Sequence, residues 1–416
     1  DRESRPLRLY AILEGAIGVY ALLMPLLFGA AEPAYSWAYG LLAEMPNALG
    51  MVRFLISAAL LILPTTLMGA TLPLLSRFFA QREASLGRDV GRLYAFNTLG
   101  AAVGAALTGF LLVPSLGVDR SIVVAAVANL LICGLAWRLA RRYEHAQESA
   151  AQGEVSLPSD PVRGSAAVLW GLAGAGFASM IYEVAWTRIL AMLIGSSVYA
   201  FTLMLVAFIA GLGAGSMILS GWIDRRRNLL AFLGLLEIAV AFAALVVVPL
   251  FNELPLYMVD LVTNYAASFA TLHLIEFATV FLLMLMPTLA MGAIFPVVAK
   301  IYTRDLACIG RSVGEAYAAN TLGAVLGSFV GGFIAIPLIG VQYTILAAVG
   351  INLMIGAYFV LTSSWGLSWQ RLGGVLASCL LLGGGAWHLP VWDTMLFNSA
   401  PYLYAYRYKA KSTSES

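Results

Sequence analysis

VGRLYAFNTLGAAVGAALTGF, residues 90–110, returns as VGEAYAANTLGAVLGSFVGGF at residues 313–333. The repetition extends well beyond this motif. PTTLMGATLP at 64–73 recurs as PTLAMGAIFP at 287–296, Glu14 aligns with Glu237, and Asn129 aligns with Asn352. The differences 313−90, 287−64, 237−14 and 352−129 are all 223. A constant, ungapped offset across four apolar segments marks a duplicated helical unit and not a coincidence of hydrophobic composition.

The repeated segments belong to apolar blocks of roughly 20 residues, the length a helix needs to cross the hydrocarbon core of a bilayer. Apolar residues make up 61% of the 416, charged residues 11%, and the mean hydropathy is +0.87. A soluble domain carries about a quarter charged residues, so this composition points to a membrane protein. A transmembrane barrel would show segments of about ten residues with strict alternation, and none are present. The sequence predicts spans at 7–31, 51–75, 93–114, 118–140, 166–192, 196–221, 228–251, 270–299, 313–337 and 341–363, with a weaker, Gly-rich stretch at 372–387. The expected fold is all-α and polytopic.

Basic residues set the orientation. Arg2, Arg5 and Arg8 precede the first span, and Arg77, Arg82, Arg88 and Arg92 lie between the second and third. Arg138, Arg141, Arg142 and Arg163 surround the polar stretch 141–165, Arg225 to Arg227 follow the sixth span, and Lys300, Arg304 and Arg311 follow the eighth. If the spans alternate, all these loops fall on one side, while loops 32–50 and 252–269 are nearly free of Lys and Arg. The positive-inside rule makes the basic side cytoplasmic. The expected location is therefore a membrane that the chain crosses many times, with its basic loops in the cytoplasm. A net charge of +2 gives no reason to expect nucleic acid as a partner.

An even number of spans per unit makes the two copies parallel, related by an axis along the membrane normal. The second unit, 166–363, holds six spans, whereas the first, 1–140, holds four. Residue 166 would map to 166−223, or −57, and Asp1 maps to Asp224. The reading therefore predicts about two further helices ahead of Asp1, in line with a start that is not Met. Residues 141–165 read as a linker, 364–391 as a further membrane segment, and 392–416 as a tail or the opening of a soluble domain.

Two six-helix halves joined by a cytoplasmic linker resemble the major facilitator superfamily. GWIDRRRN at 221–228 lies where that superfamily carries an acidic–basic loop, with a spacing one residue shorter, and DRESR at 1–5 is its degraded counterpart. AGAGFASMIYEVAWTRIL at 173–190, GSSVYAFTLMLVAFIAGLGAGS at 195–216, MGATLPLLSR at 68–77 and VGRLYAFNTLGA at 90–101 resemble the membrane region of bacterial fused spermidine synthase/transporter-like proteins. In that family a soluble aminopropyltransferase-like domain follows the membrane region, and WDTMLFNSAPYLYAYRYKAK at 392–411 resembles its opening hairpin. The Gly-rich loop and paired acids of such a domain are absent from this sequence, so no aminopropyl transfer is assigned to these residues.

Ionisable groups within spans are the leading site candidates, because charge in hydrocarbon needs a partner or a wet cavity. Glu14 and Glu237, at equivalent positions, read either as carboxylates facing a central cavity or as buried acids held by hydroxyls and helix ends. Tyr94 with Asn97, and Tyr317 with Asn320, repeat at i and i+3 on one helix face, as interhelical bonds or as a polar lining for a solute. Glu183, with Arg188 five residues on, reads as a structural ion pair. Arg53 and Glu276 are equivalent by the offset (276−53 is 223) and opposite in charge, as a gate or a structural pair. Gly211 with Gly215, Gly100 with Gly104 and Gly323 with Gly327 read as small-residue packing faces. GLGAGS at 211–216 lies inside an apolar span with no strand before it, which argues against a dinucleotide loop. Pro64, Pro73, Pro287 and Pro296 are expected to break or kink their helices. Cys133, Cys308 and Cys379 lack pairing or metal spacing and His273 stands alone, so neither metal nor cofactor is expected.

Three functions remain open from the sequence. One is the membrane module of a spermidine synthase-like protein, as the resemblance implies, with a polyamine as solute. Another is a transporter-like protein moving a small cationic solute between two halves. The third is a non-catalytic membrane subunit of a larger complex. All three have the lipid bilayer as a partner.

Overall fold

Apolar chain can enter lipid only if its peptide groups bond internally, and helices meet that condition residue by residue. The computed structural model describes residues 5–80, 85–148, 166–195, 197–265, 267–303, 308–363, 369–392 and 397. Every element among them is helical. Eight helical stretches are long and apolar enough to cross a bilayer, so the chain is an α-helical membrane protein with lipid as its surroundings. The expected hairpin past residue 392 lies outside the described residues, as do 149–165 of the expected linker. Residues 141–148 of that linker continue the preceding helix.

The helices are α1 (Pro6–Leu42), α2 (Pro46–Phe79), α3 (Leu86–Leu107), α4 (Val113–Glu148), α5 (Ala166–Ile194), α6 (Val198–Ile223), α7 (Leu229–Tyr265), α8 (Phe269–Tyr302), α9 (Ile309–Phe329), α10 (Ile336–Thr362) and α11 (Trp369–Trp387). Short π-helical turns, Thr108–Leu112 and Val330–Ala335, join α3 to α4 and α9 to α10. The α3–α4 stretch, Leu86–Tyr143, has 58 residues. At 1.5 Å per residue that is about 85 Å, far more than one crossing needs. It breaks at Gly117 (φ 80°, ψ 175°), and α9–α10 breaks in the same way at Gly340 (φ 78°, ψ 167°). Backbone at positive φ costs an L-residue side chain energy, which is why glycine occupies both corners. Ser121 and Thr344 then return their hydroxyls to the carbonyls of Gly117 and Gly340, at 2.6 and 2.7 Å.

Helix bounds follow the sequence offset. For α1 and α7 the differences 229−6 and 265−42 are 223, and for α2 and α8 so are 269−46 and 302−79. Of the break or kink expected at the shared prolines, the break does not occur: α2 runs through Pro64 and Pro73 and α8 through Pro287 and Pro296. Proline removes one intrahelical donor, and neighbouring hydroxyls supply replacements. Tyr20 donates to the Leu60 carbonyl, four residues before Pro64, at 2.7 Å.

Two compact units result. The first contains α1, α2 and α4, with Gly15 of α1 facing the Cys133 sulfur and Gly18 facing the Ala126 carbonyl of α4. The second contains α3, α5 to α8, most of α9, α10 and α11. Thus α3, which the sequence repeat groups with the first copy, packs in the second unit. Small residues explain that choice. A Cβ on Gly91 would lie 2.5 Å from Ser220 of α6, and Ser216 donates to the Gly91 carbonyl at 2.8 Å. At the end of α6, Asp224 accepts from the amides of Gly87 and Arg88 at 3.0 and 2.9 Å, and Lys300 approaches it to 3.3 Å. A carboxylate on free amides at a helix N-terminus is a favourable pairing.

Candidate functional site

The site grows from one face of α5. Leu172, Ala175, Gly176, Ser179, Met180 and Glu183 follow helical spacing and line a cavity of about 190 Å³ within the second unit. Its other walls come from α3 (Tyr94), α6 (Phe208), α8 (Met291, Phe295) and α9 (Asn320). Glycines bring these walls together. A Cβ on Gly176 would meet the Asn320 backbone oxygen at 2.5 Å, so only glycine lets α9 bring Asn320 against α5. Between α6 and α8 the approach is mutual: Gly215 faces the Leu289 carbonyl and Gly292 the Leu212 carbonyl, each at 2.0 Å from an added Cβ.

The lining has a definite chemistry. Tyr94 stacks on Phe295 with centroids 5.0 Å apart, and Phe295 meets Tyr317 edge-on at 5.8 Å. Ser179 donates toward the Met291 sulfur at 3.6 Å. Glu183 is the one carboxylate among the described lining residues, and no Lys, Arg or His stands with it. A carboxylate beside aromatic faces and soft sulfur in apolar surroundings attracts a cation and repels an anion.

The sequence-selected residues separate into groups. Tyr94, Asn320 and Glu183 meet at the cavity, and Tyr317 supports it through Phe295. Glu183 and Arg188 part company, one in the cavity wall and the other exposed. Five residues along a helix turn the side chains roughly 140° apart, so the spacing does not favour a pair. Glu237 lies elsewhere in the unit, 1% exposed, where its Oε2 accepts from the Asn352 amide at 2.7 Å. Tyr182 donates to Asn352 Oδ1 at 3.4 Å, which ties α5, α7 and α10 together, while Glu237 Oε1 has no hydrogen-bond partner among the described residues.

In the first unit Glu14 is half-buried and accepts from Tyr10, one turn away. Arg53 donates through Nε to the Tyr35 hydroxyl at 2.8 Å and lies 5.2 Å from that ring's centre. Glu276, in the second unit, is 4% exposed with His273 Nδ1 at 4.0 Å from its Oε2. Asn97 is exposed on α3. Met180, Phe208, Met291 and Phe295 escaped the sequence reading, although the helical spacing of 172–183 was a signal for the α5 wall. Among the described residues no cluster of three His, Cys, Asp or Glu could hold a metal. No family model, curated protein or solved structure matches the chain.

Proposed function

We propose that the protein is a transporter-like membrane module that binds a small organic cation in the cavity at Glu183. The observation that carries this is the lone carboxylate in an aromatic- and methionine-lined cavity that holds no basic residue. A diamine or a quaternary ammonium would place its charge on Glu183 and its carbons on Tyr94, Phe208 and Phe295. The cavity is small, which suits a solute of a few carbons in preference to a peptide or lipid.

The tandem-repeat reading supports a two-half membrane module. Matching bounds of α1 with α7 and of α2 with α8, and positive-φ corners at Gly117 and Gly340, follow the offset of 223 seen in the sequence, and the π-helical turns follow it to within one residue. By the positive-inside rule we place the basic loops in the cytoplasm, and the resemblance to bacterial proteins makes the membrane a bacterial cytoplasmic (inner) membrane. The resemblance to fused spermidine synthase/transporter-like proteins names polyamines as the first solutes to try, and an amine site would equally serve a membrane module attached to a synthase.

The test is binding and uptake in proteoliposomes with putrescine, spermidine and tetramethylammonium, against glutamate and glucose as anionic and neutral controls. Saturable retention of a cation is expected, with Glu183→Gln weakening it tenfold or more and Glu237→Gln leaving the affinity unchanged. Equal retention by Glu183→Gln, or a preference for glutamate, would sink the proposal. No saturable solute at all, with a stable protein complex instead, would favour a scaffolding subunit.

A further inference from the structure

The second unit contains two helices, α3 and α9, that the 223-residue offset makes equivalent, and each is covered where the other is bare. On α9, a Cβ at Gly323 would lie 1.8 Å from the Ala173 carbonyl of α5, and one at Gly327 would lie 2.2 Å from the Phe177 carbonyl. Asn320 on the same face adjoins Gly176. The corresponding face of α3 holds Asn97, Gly100 and Gly104. There an added Cβ at either glycine would meet nothing within 4 Å, while Phe96, Val103 and Leu107 are exposed.

The converse holds on the neighbouring face. Ala95, Thr98 and Ala102 of α3 are buried where that helix meets α6 and α8. Their counterparts on α9, Ala318, Thr321 and Val325, are exposed. One helix thus lacks the neighbour that α5 provides to the other, and the other lacks the neighbour that α6 provides to the first.

We infer that both bare faces are seats for a single transmembrane helix hairpin of the α5–α6 type, joined to the N-terminal side of α1 as α5 and α6 precede α7. Its first helix lies on Asn97, Gly100 and Gly104, and its second on Thr321, Leu322 and Val325. Lipid alone is a poor occupant of the α3 seat for two reasons. Asn97 has no hydrogen-bond partner among the described residues, and an amide facing hydrocarbon needs one. The Gly100–Gly104 notch matches one that, on α9, receives backbone carbonyls of a closely packed helix. Each seat also borders an interface already made, that of α3 with α6 and that of Gly323 and Gly327 of α9 with α5. The first helix should carry small residues three or four apart, to fit the notch, and one polar group for Asn97.

The inference rests on the tandem-repeat reading and not on the solute site. The test places a photo-crosslinking benzoylphenylalanine at Val103, at Leu322 and, as a lipid-facing control, at Leu338 in the complete natural protein in its own membrane. After irradiation, mass spectrometry identifies the captured peptides. Expected are two apolar helices of one hairpin, preceding α1 in the same polypeptide, one captured from Val103 and the other from Leu322, with Leu338 capturing lipid. Capture of lipid only, of a separate chain, or of peptides within residues 5–397 would overturn it. Repeating the experiment with Glu183→Gln separates the two proposals, because the hairpin capture should be unchanged whether or not a cation binds.

Discussion

Helices α2 and α8 hold the same place in the repeated sequence and both run for 34 residues, yet their surroundings differ greatly. Only 11% of the most apolar stretch of α2 is buried, against 61% for α8. The pair α1 and α7 shows the same contrast, 17% against 56%. Residue type cannot be the cause, since each pair matches in length and apolar character, and α2 and α8 share their prolines as well. The cause is neighbours. α8 has α6 against it, locked by Gly215 on Leu289 and Gly292 on Leu212, and α7 has α5, α10 and α11 around it. In a membrane, where lipid is as apolar as leucine, burial records which helices are present and not how hydrophobic a helix is.

The contrast can be tested by making the same change at equivalent positions. The largest difference should come from Gly323→Ala against Gly100→Ala, read as unfolding midpoints in detergent. The first drives a methyl into the Ala173 carbonyl and should cost about 3 kcal/mol. In residues 1–416 alone the second meets no neighbour and should be neutral or gain up to about 1 kcal/mol from helix propensity, whereas with the inferred hairpin seated it should cost as much as the first. Equal losses at both positions would mean that the α3 face is already packed.

Next in size is the Glu237 network. Asn352→Leu removes the amide bonded to Glu237 at 2.7 Å and should destabilise by about 2 kcal/mol. Asn129→Leu, its counterpart, lies in a unit where Glu14 is bonded to Tyr10 instead and should change the midpoint little. A loss at Asn129 as large as at Asn352 would break the contrast between the two copies. The glycine corners should behave alike: Gly117→Ala and Gly340→Ala each force alanine into positive φ, at about 1 kcal/mol apiece. A loss at one corner and none at the other would argue against a shared backbone plan. Smallest is Asp224→Asn, which weakens the contact with the start of α3 by about 0.5 kcal/mol and should matter less in high salt.

Much of the fold was legible because a bilayer is a demanding solvent. Apolar blocks of the right length became helices, and the expected span boundaries near 114–118 and 337–341 fall at the breaks around Gly117 and Gly340. The prolines do not break their helices, and at Pro64 the carbonyl left without its amide is served by Tyr20 from forty residues away. The site was legible in part. Tyr94, Asn320 and Glu183 stood out as polar groups in apolar helices, while Phe208, Met291 and Phe295 looked like any other packing residues.

Sequence by itself determined that this chain is a helical membrane protein and that its second part echoes its first, because length, hydropathy and register are properties of consecutive residues. Tertiary structure alone decided which acids are sealed and which face space. Glu14 and Glu237 are equivalent in sequence, but one bonds a tyrosine on its own helix and the other is closed in by Asn352 across an interface. Glu183 faces a cavity because glycines on α5, α6 and α8 let helices approach closely around it. Such approach depends on pairs of surfaces far apart in the chain, and no local pattern records it.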